Sequence, residues 1–334
     1  MSEKILEVTD LRTYFYQAAG TAKAVDGVSF SIEKGKTFGI VGESGSGKSV
    51  TASSIIRLLP ETAKIESGQI IFKGNDLTKY SKSDMRKIRG KEIASVFQDP
   101  MTSLDPVFTI GQQIDELLKT HYPKLGKAER RKKAVDALKT VGITDGEQRL
   151  AAYPHEFSGG MRQRVMIAMA VVCDPELLIA DEPTTALDVT VQAQVFELMK
   201  DFQKRMNTSI LLITHNLGAV WRMCDSVAVM YAGKCMEIAE TKELYSNTLH
   251  PYTWGLLSSM PKLGSDSEEP LPTIPGTPPD LKLTGNGCGF AERCKYAQKI
   301  CFESNTELTE LKPGHWVSCH LQTKDKRIDL GEVV

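Results

Sequence analysis

The chain has 334 residues, long enough to bury a large core without disulfides, and at roughly 100 to 200 residues per domain this length favours two or three structural units. Its 41 basic and 42 acidic side chains leave a formal net charge of -1, which argues against a general electrostatic grip on nucleic acid or an anionic membrane surface. With 41% hydrophobic and 25% charged residues it has the composition of a globular protein, neither disordered nor fibrous.

Short β-rich runs open the chain: ILEVTDL, AVDGVSFSI and then KTFGIV at Lys36 to Val41, followed by a glycine-rich turn and a helical pattern from Lys48 to Leu59. Further strand is predicted at Gln69 to Phe72 and Ile93 to Phe97. From about Thr109 to Val172 the pattern turns helical, and its charged stretch Lys124 to Lys133 reads as a solvated helix face. The longest purely apolar run, Val165 to Cys173, is far short of the roughly 20 residues of a membrane span. No apolar signal region follows Met1, so the chain is expected to stay in the cytosol.

Strands and helices then alternate: LLIAD at 177–181, a helix from Val189 to Arg205, SILLIT at 209–214, a short helix to Met223 and SVAVMY at 226–231. This spacing predicts an α/β fold with right-handed crossovers and a largely parallel sheet. Prolines crowd between Pro251 and Pro279 together with GSDSEEP and GTPPD, which predicts a linker or an extended wrapping segment. The tail beyond it has too few apolar residues for a core of its own.

Two segments carry the chemistry. Gly42 to Ser49 reads GESGSGKS and fits G-x-x-x-x-G-K-[ST] between an apolar strand and a helix. Glycines there let successive backbone N–H groups curl around phosphates while the following helix points its positive end at them. Lys48 would reach the β and γ phosphates and Ser49 would hold Mg²⁺. LLIADEP, Leu177 to Pro183, delivers Asp181 to the carboxyl end of the sheet, where it can join the magnesium shell, and places Glu182 to polarise the attacking water.

With these residues the chain resembles the nucleotide-binding subunits of ATP-binding cassette (ABC) transporters over about residues 5–250. Gln98, in SVFQDP, matches the family's glutamine loop, which senses Mg²⁺ and water. FSGGMRQR, Phe157 to Arg164, matches the family signature with Phe at its first place and Met161 at its fifth. ALD, Ala186 to Asp188, matches the loop crossing the dimer interface, and His215 in LLITHNL matches the switch histidine at the γ-phosphate. Phe15, flanked by Tyr14 and Tyr16, matches the aromatic that stacks on adenine.

The resemblance implies a P-loop cassette with a mixed sheet, an antiparallel β subdomain and a helical subdomain at about 100–172, all within residues 1–245. Two cassettes would sandwich ATP. One contributes Gly42, Ser44, Gly45, Ser46, Gly47, Lys48, Ser49 and Val50, and the other contributes Ser158, Gly159, Gly160 and Asp188. Ser158, Gly159 and Gly160 start a helix, so their N–H groups form an anion site without its own lysine or metal, which suits the ATP of another molecule. Glu182, His215, Gln98 and Lys48 would carry hydrolysis, with Ser49, Gln98 and Asp181 around Mg²⁺.

AAYPH before EFSGGMRQR, and HPYTWGLLSSMPKL from His250 to Leu263, resemble the dipeptide and oligopeptide branch of bacterial importers. That branch implies transmembrane permease subunits, a second cassette in a heterodimer, an extracytoplasmic peptide-binding protein, and peripheral attachment at the cytoplasmic face. Nickel import is a variant of the same reading. A soluble cassette ATPase of ribosomes or DNA is a rival, opposed by the single Walker lysine. A nucleotide-gated metal sensor is another, opposed by the intact Glu182 and His215.

Of seven cysteines, Cys173, Cys224 and Cys235 read as buried core thiols. Cys288, Cys294, Cys301 and Cys319 are spaced C-x5-C-x6-C-x17-C within 246–334, unlike the tight pairs of common zinc sites. In a reducing cytosol such a cluster points to metal more than to disulfides. The resemblance implies a [4Fe-4S] cluster on these four thiolates, zinc and unliganded thiols being the other readings. His315 and His320 lie close enough in sequence to replace a ligand.

Overall fold

The computed structural model describes residues 3–97, 103–185, 187–260, 272–282, 285–325 and 327–331. Gln98, Ala186 and residues 261–271 of the predicted linker lie outside the described residues. In chain order, β1 (Lys4–Gln17) and β2 (Gly20–Glu33) precede β3 (Thr37–Val41), which leads into α1 (Lys48–Ile55), β4 (Ala63–Phe72) and β5 (Asn75–Asp76). Next come α2 (Lys82–Ile88), β6 (Ile93–Val96), α3 (Ile110–His121), α4 (Lys127–Thr140), α5 (Gly146–Arg149), α6 (Gly159–Val171), β7 (Leu177–Asp181), α7 (Val189–Met206) and β8 (Ser209–Ile213). The chain ends with α8 (Leu217–Met223), β9 (Ser226–Tyr231), β10 (Lys234–Glu240), α9 (Thr241–Ser246), α10 (Pro251–Ser258), α11 (Lys299–Glu303), β11 (Thr309–Lys312) and β12 (His315–Val317).

These elements form two compact units. The first comprises the described parts of Met1–Ile5, Ile32–Lys36 and Lys79–Leu212. Its strands run in the order β8-β7-β6, with β6 parallel to β7 from Ile93↔Leu177 to Val96↔Ala180. Ile110, Ile114 and Leu118 recur every fourth residue on α3 and are fully buried, so helical periodicity builds this unit's helical layer. The charged start of α4 is largely solvated, with exposed Arg131 paired to exposed Glu147, while Arg130 is mostly buried and held 2.6 Å from Asp115.

The second unit comprises the described parts of Leu6–Ser31, Thr37–Thr78 and Ile213–Val334. One sheet has the order β2-β1-β4-β5, with β1 antiparallel to β4 from Leu6↔Phe72 to Phe15↔Ala63. The other runs β11-β12-β10-β9-β3: β3 and β9 are parallel, and β10 pairs antiparallel with both β9 and β12. The sheets combine parallel pairs (β3 with β9, β6 with β7) and antiparallel ones, the mixed arrangement that the resemblance implied.

Three details differ from the sequence expectation. The first helix ends at Ile55 and not near Leu59, because Arg57 takes the left-handed backbone conformation (φ 52°) and turns the chain. The fourth strand starts at Ala63 because β1 is available to pair with it. The tail does not stand apart from the sheet: β12 adds to β10, and Val317, Leu321 and Phe290 bury their side chains in the unit that holds β3. A segment with too few apolar residues for its own core thus shares one.

Candidate functional site

The glycines of GESGSGKS are required by the backbone. All five residues of β3 are buried, and after Val41 the chain passes through Gly42 (φ 150°), Gly45 (φ 77°) and Gly47 (φ 101°). A Cβ on Gly42 would overlap the Met230 carbonyl oxygen, and one on Gly47 the Ala24 carbonyl oxygen. The loop is tied from within, Ser46 N–H donating to the Glu43 carbonyl at 3.2 Å, and from outside, Gly233 N–H donating to the Ser46 carbonyl at 3.1 Å. Lys48 is 5% exposed, and its ammonium donates to the carbonyls of Gly42 (2.8 Å) and Glu43 (2.9 Å). Ser44, Gly45 and Ser49 are exposed on the rim and Val50 is half-buried. The result is an open cradle of N–H groups at the start of a helix, with an ammonium at its floor.

In the same unit His215 is exposed in the turn before α8, where Asn216 accepts from Ala219 N–H at 3.1 Å and caps the helix. Phe15 is half-buried on β1. Tyr14 donates its hydroxyl to Asp26 at 2.8 Å, while Tyr16 is exposed.

The first unit supplies a different set. Asp181 closes β7, and Glu182 follows in the left-handed conformation (φ 48°), a costly state for a non-glycine residue that re-aims the side chain after the strand. The Glu182 carboxylate accepts from the Thr185 hydroxyl at 2.9 Å. Ser158 caps α6, accepting from Met161 N–H at 3.3 Å, and Gly159 is exposed beside it. Asp188 caps α7, accepting from Val191 N–H at 2.9 Å. A Cβ on Gly160 would stand 3.0 Å from Val191, so the starts of α6 and α7 lie side by side. Phe157, the departure at the head of the signature, is 2% exposed with the Arg149 guanidinium over its ring, so an aromatic fills that place as core.

The C-terminal segment holds what sequence reasoning missed. His250 is the N-cap of α10, its Nδ1 accepting from Tyr252 N–H at 3.0 Å, and Pro251 takes the first helical position. Tyr252 is fully buried, and its hydroxyl accepts from Glu43 N–H at 2.9 Å, inside the phosphate loop. Its ring meets those of Tyr231 (centroids 4.6 Å apart) and Phe290 (5.2 Å). HPYT therefore does more than start an amphipathic helix; the signal was in the sequence, but not its target.

Cys288, Cys294, Cys301 and Cys319 line one small cavity, with His320 at its wall. Burial pushes the Cys288 and Cys294 thiols up and the Cys319 thiol up to about 12. The four cysteines border this cavity together with Pro251, Phe290, Ala291 and Leu321. Among the described residues, no group of three or more His, Cys, Asp or Glu side chains is arranged to hold a metal ion. His320 Nε2 lies 2.8 Å from the Ser304 carbonyl. His315 lies in a separate polar cluster, between Glu237 (2.8 Å) and Glu243 (3.3 Å). Cys173, Cys224 and Cys235 are buried, as expected of core thiols.

A strand, a glycine cradle and a buried lysine at the start of a helix define a phosphate-loop α/β protein. The ABC transporter family matches residues 25–185, and the family described as oligopeptide/dipeptide transporter, C-terminal region, matches residues 236–301. The oligopeptide transport ATP-binding protein OppD of Bacillus subtilis is 51% identical over 323 residues, 96% of this chain and 90% of that protein. The dipeptide transport ATP-binding protein DppD of the same organism is 51% identical over 321 residues, 96% of this chain and 95% of that protein. Among solved structures, cbiO1 from Clostridium perfringens, part of the ABC transporter complex cbiONQ, superposes with a TM-score of 0.63 at 31% identity, covering 73% of this chain and 91% of that one. The chain belongs to the ABC transporter ATP-binding proteins that carry the oligopeptide/dipeptide C-terminal region.

Proposed function

We propose that this chain binds and hydrolyses ATP to energise import of dipeptides and oligopeptides through a membrane transporter. The observation that carries the reading is the joint presence of the glycine cradle and an HPYT segment whose tyrosine reaches into it. The names of the relatives favour peptides over nickel as cargo. No helix among the described residues is long and apolar enough to cross a membrane, consistent with a subunit that docks on permease proteins from the cytoplasmic side.

In this reading residues 1–245 form the cassette and 246–334 the extension. ATP lies between Gly42–Ser49 of one cassette and Ser158, Gly159, Gly160 and Asp188 of a second, distinct one, with Phe15 on adenine and Ser49, Asp181 and Gln98 around Mg²⁺. Glu182 polarises the attacking water and His215 contacts the γ-phosphate, so catalysis is positioning and charge stabilisation. An extracytoplasmic binding protein supplies the peptide. Glu182→Gln is expected to bind ATP normally and lose turnover by about 10²-fold or more. Turnover near that of the wild type would sink the assignment of the base.

Cys288, Cys294, Cys301 and Cys319 would hold a [4Fe-4S] cluster, which supplies a cationic centre that ties the extension together. The chain's own contribution is four cysteines that border one cavity together with Phe290 and Leu321. Anaerobically purified protein should be brown and bleach with dithionite; colourless protein with stoichiometric zinc would exclude the cluster.

A further inference from the structure

Arg293 lies between Cys288 and Cys294 in sequence, 250 residues from the phosphate loop, yet it grips that loop. Its Nη1 donates to Glu43 Oε2 at 2.6 Å and its Nη2 to Glu43 Oε1 at 3.1 Å, a two-pronged fork on one carboxylate. The guanidinium is fixed on its other edges. Nη1 donates to the Tyr231 hydroxyl at 3.1 Å, Nη2 to the Ile274 carbonyl at 3.3 Å and Nε to the Pro275 carbonyl at 2.8 Å. The Arg293 side chain is 7% exposed and that of Glu43 25%, so the pair is screened from water far more than a surface salt bridge is.

The charge arrangement gives this contact a consequence for ligand binding. Gly42–Ser49 is built to receive a polyanion, yet its second residue carries a carboxylate. Left alone, that carboxylate would repel the phosphates. The loop's own cation, Lys48, donates to main-chain carbonyls of the same loop, so the counter-charge for Glu43 comes from the extension. The same extension also holds the backbone of Glu43, through its N–H to the Tyr252 hydroxyl.

We propose that Arg293 completes the nucleotide site from the C-terminal extension, cancelling the charge of Glu43 and fixing the loop in the shape that accepts the ATP phosphates. Arg293 is a positioning residue: it acts on ATP through Glu43. The proposal rests on the assignment of Gly42–Ser49 as the ATP phosphate loop. It implies that a family-specific appendage tunes a site whose motif is common to all cassettes.

The test is equilibrium binding of Mg-ATP to the full chain, with thermal unfolding recorded for each variant. Arg293→Met exposes the repulsion and should weaken ATP about tenfold. Glu43→Gln removes the negative charge beside a retained guanidinium and should tighten ATP by about threefold. The double variant should recover most of the loss, which a purely structural role for Arg293 does not produce. Wild-type affinity in folded Arg293→Met, or a double variant as weak as Arg293→Met, would overturn the proposal. Should Arg293→Met fail to fold, Arg293→Gln keeps a donor for the Ile274 or Pro275 carbonyl and carries the same comparison. Lys48→Ala separates the two layers: normal binding there overturns the loop assignment itself, whereas lost binding there with normal binding in Arg293→Met overturns only the role of Arg293.

Discussion

At the scale of single residues, function here depends on backbone states that few side chains tolerate. Gly42 at φ 150° stands where a methyl group would overlap the Met230 carbonyl, so Gly42→Ala faces both a strained conformation and a collision with a buried strand. The expected outcome is loss of measurable ATP binding in a protein that retains its secondary structure, checked by equilibrium binding alongside circular dichroism. Gly45 has the same need for positive φ but open space around it, so Gly45→Ala meets strain without collision and is the milder change. Both were legible in the sequence, because the motif specifies them locally. Glu43 occupies a position the motif leaves free, and nothing local marks it as the partner of Arg293.

At the scale of elements, caps explain where the site helices begin. Ser158 and Asp188 each accept a hydrogen bond from the N–H three residues on, which fixes the first turns of α6 and α7, whose first residues Gly159 and Val189 are exposed. Ser158→Ala should lower unfolding stability by about 1 kcal/mol, read from the urea midpoint. A change well beyond that would mean that the serine holds more than the helix start. Helical periodicity made α3 and α7 readable, and β-rich apolar runs made β3, β7, β8 and β9 readable. β10 (KCMEIAE) was not, because its charged and polar side chains break the apolar pattern, and only its partners on both edges make it a strand.

The reason for that polar interruption appears at the scale of the whole chain. Glu237 is fully buried in β10 and accepts from Leu249 N–H at 2.6 Å and His250 N–H at 3.0 Å, while His315 Nε2 lies 2.8 Å away. One carboxylate thus ties β10, the entry to α10 and β12, joining the extension to the sheet that carries β3. Glu237→Ala removes the acceptor of two buried N–H groups and the carboxylate facing His315 Nε2, while Glu243 still faces Nδ1. It should cost about 3–5 kcal/mol, measured as a fall in unfolding free energy. A loss under about 1 kcal/mol would show that the extension is anchored by its apolar contacts alone.

The sequence by itself determined the glycine-rich loop between a strand and a helix, the Asp-Glu end of a buried strand and the SGG helix start, because each is a local pattern of residues adjacent in the chain. Tertiary structure alone decided that the tail adds to the sheet, that Tyr252 and Arg293 hold Glu43, and that His315 belongs to a buried carboxylate cluster while His320 lines the cysteine cavity. Those contacts join residues far apart in the chain. Local patterns carry no record of them, and only packing brings the partners within hydrogen-bond reach.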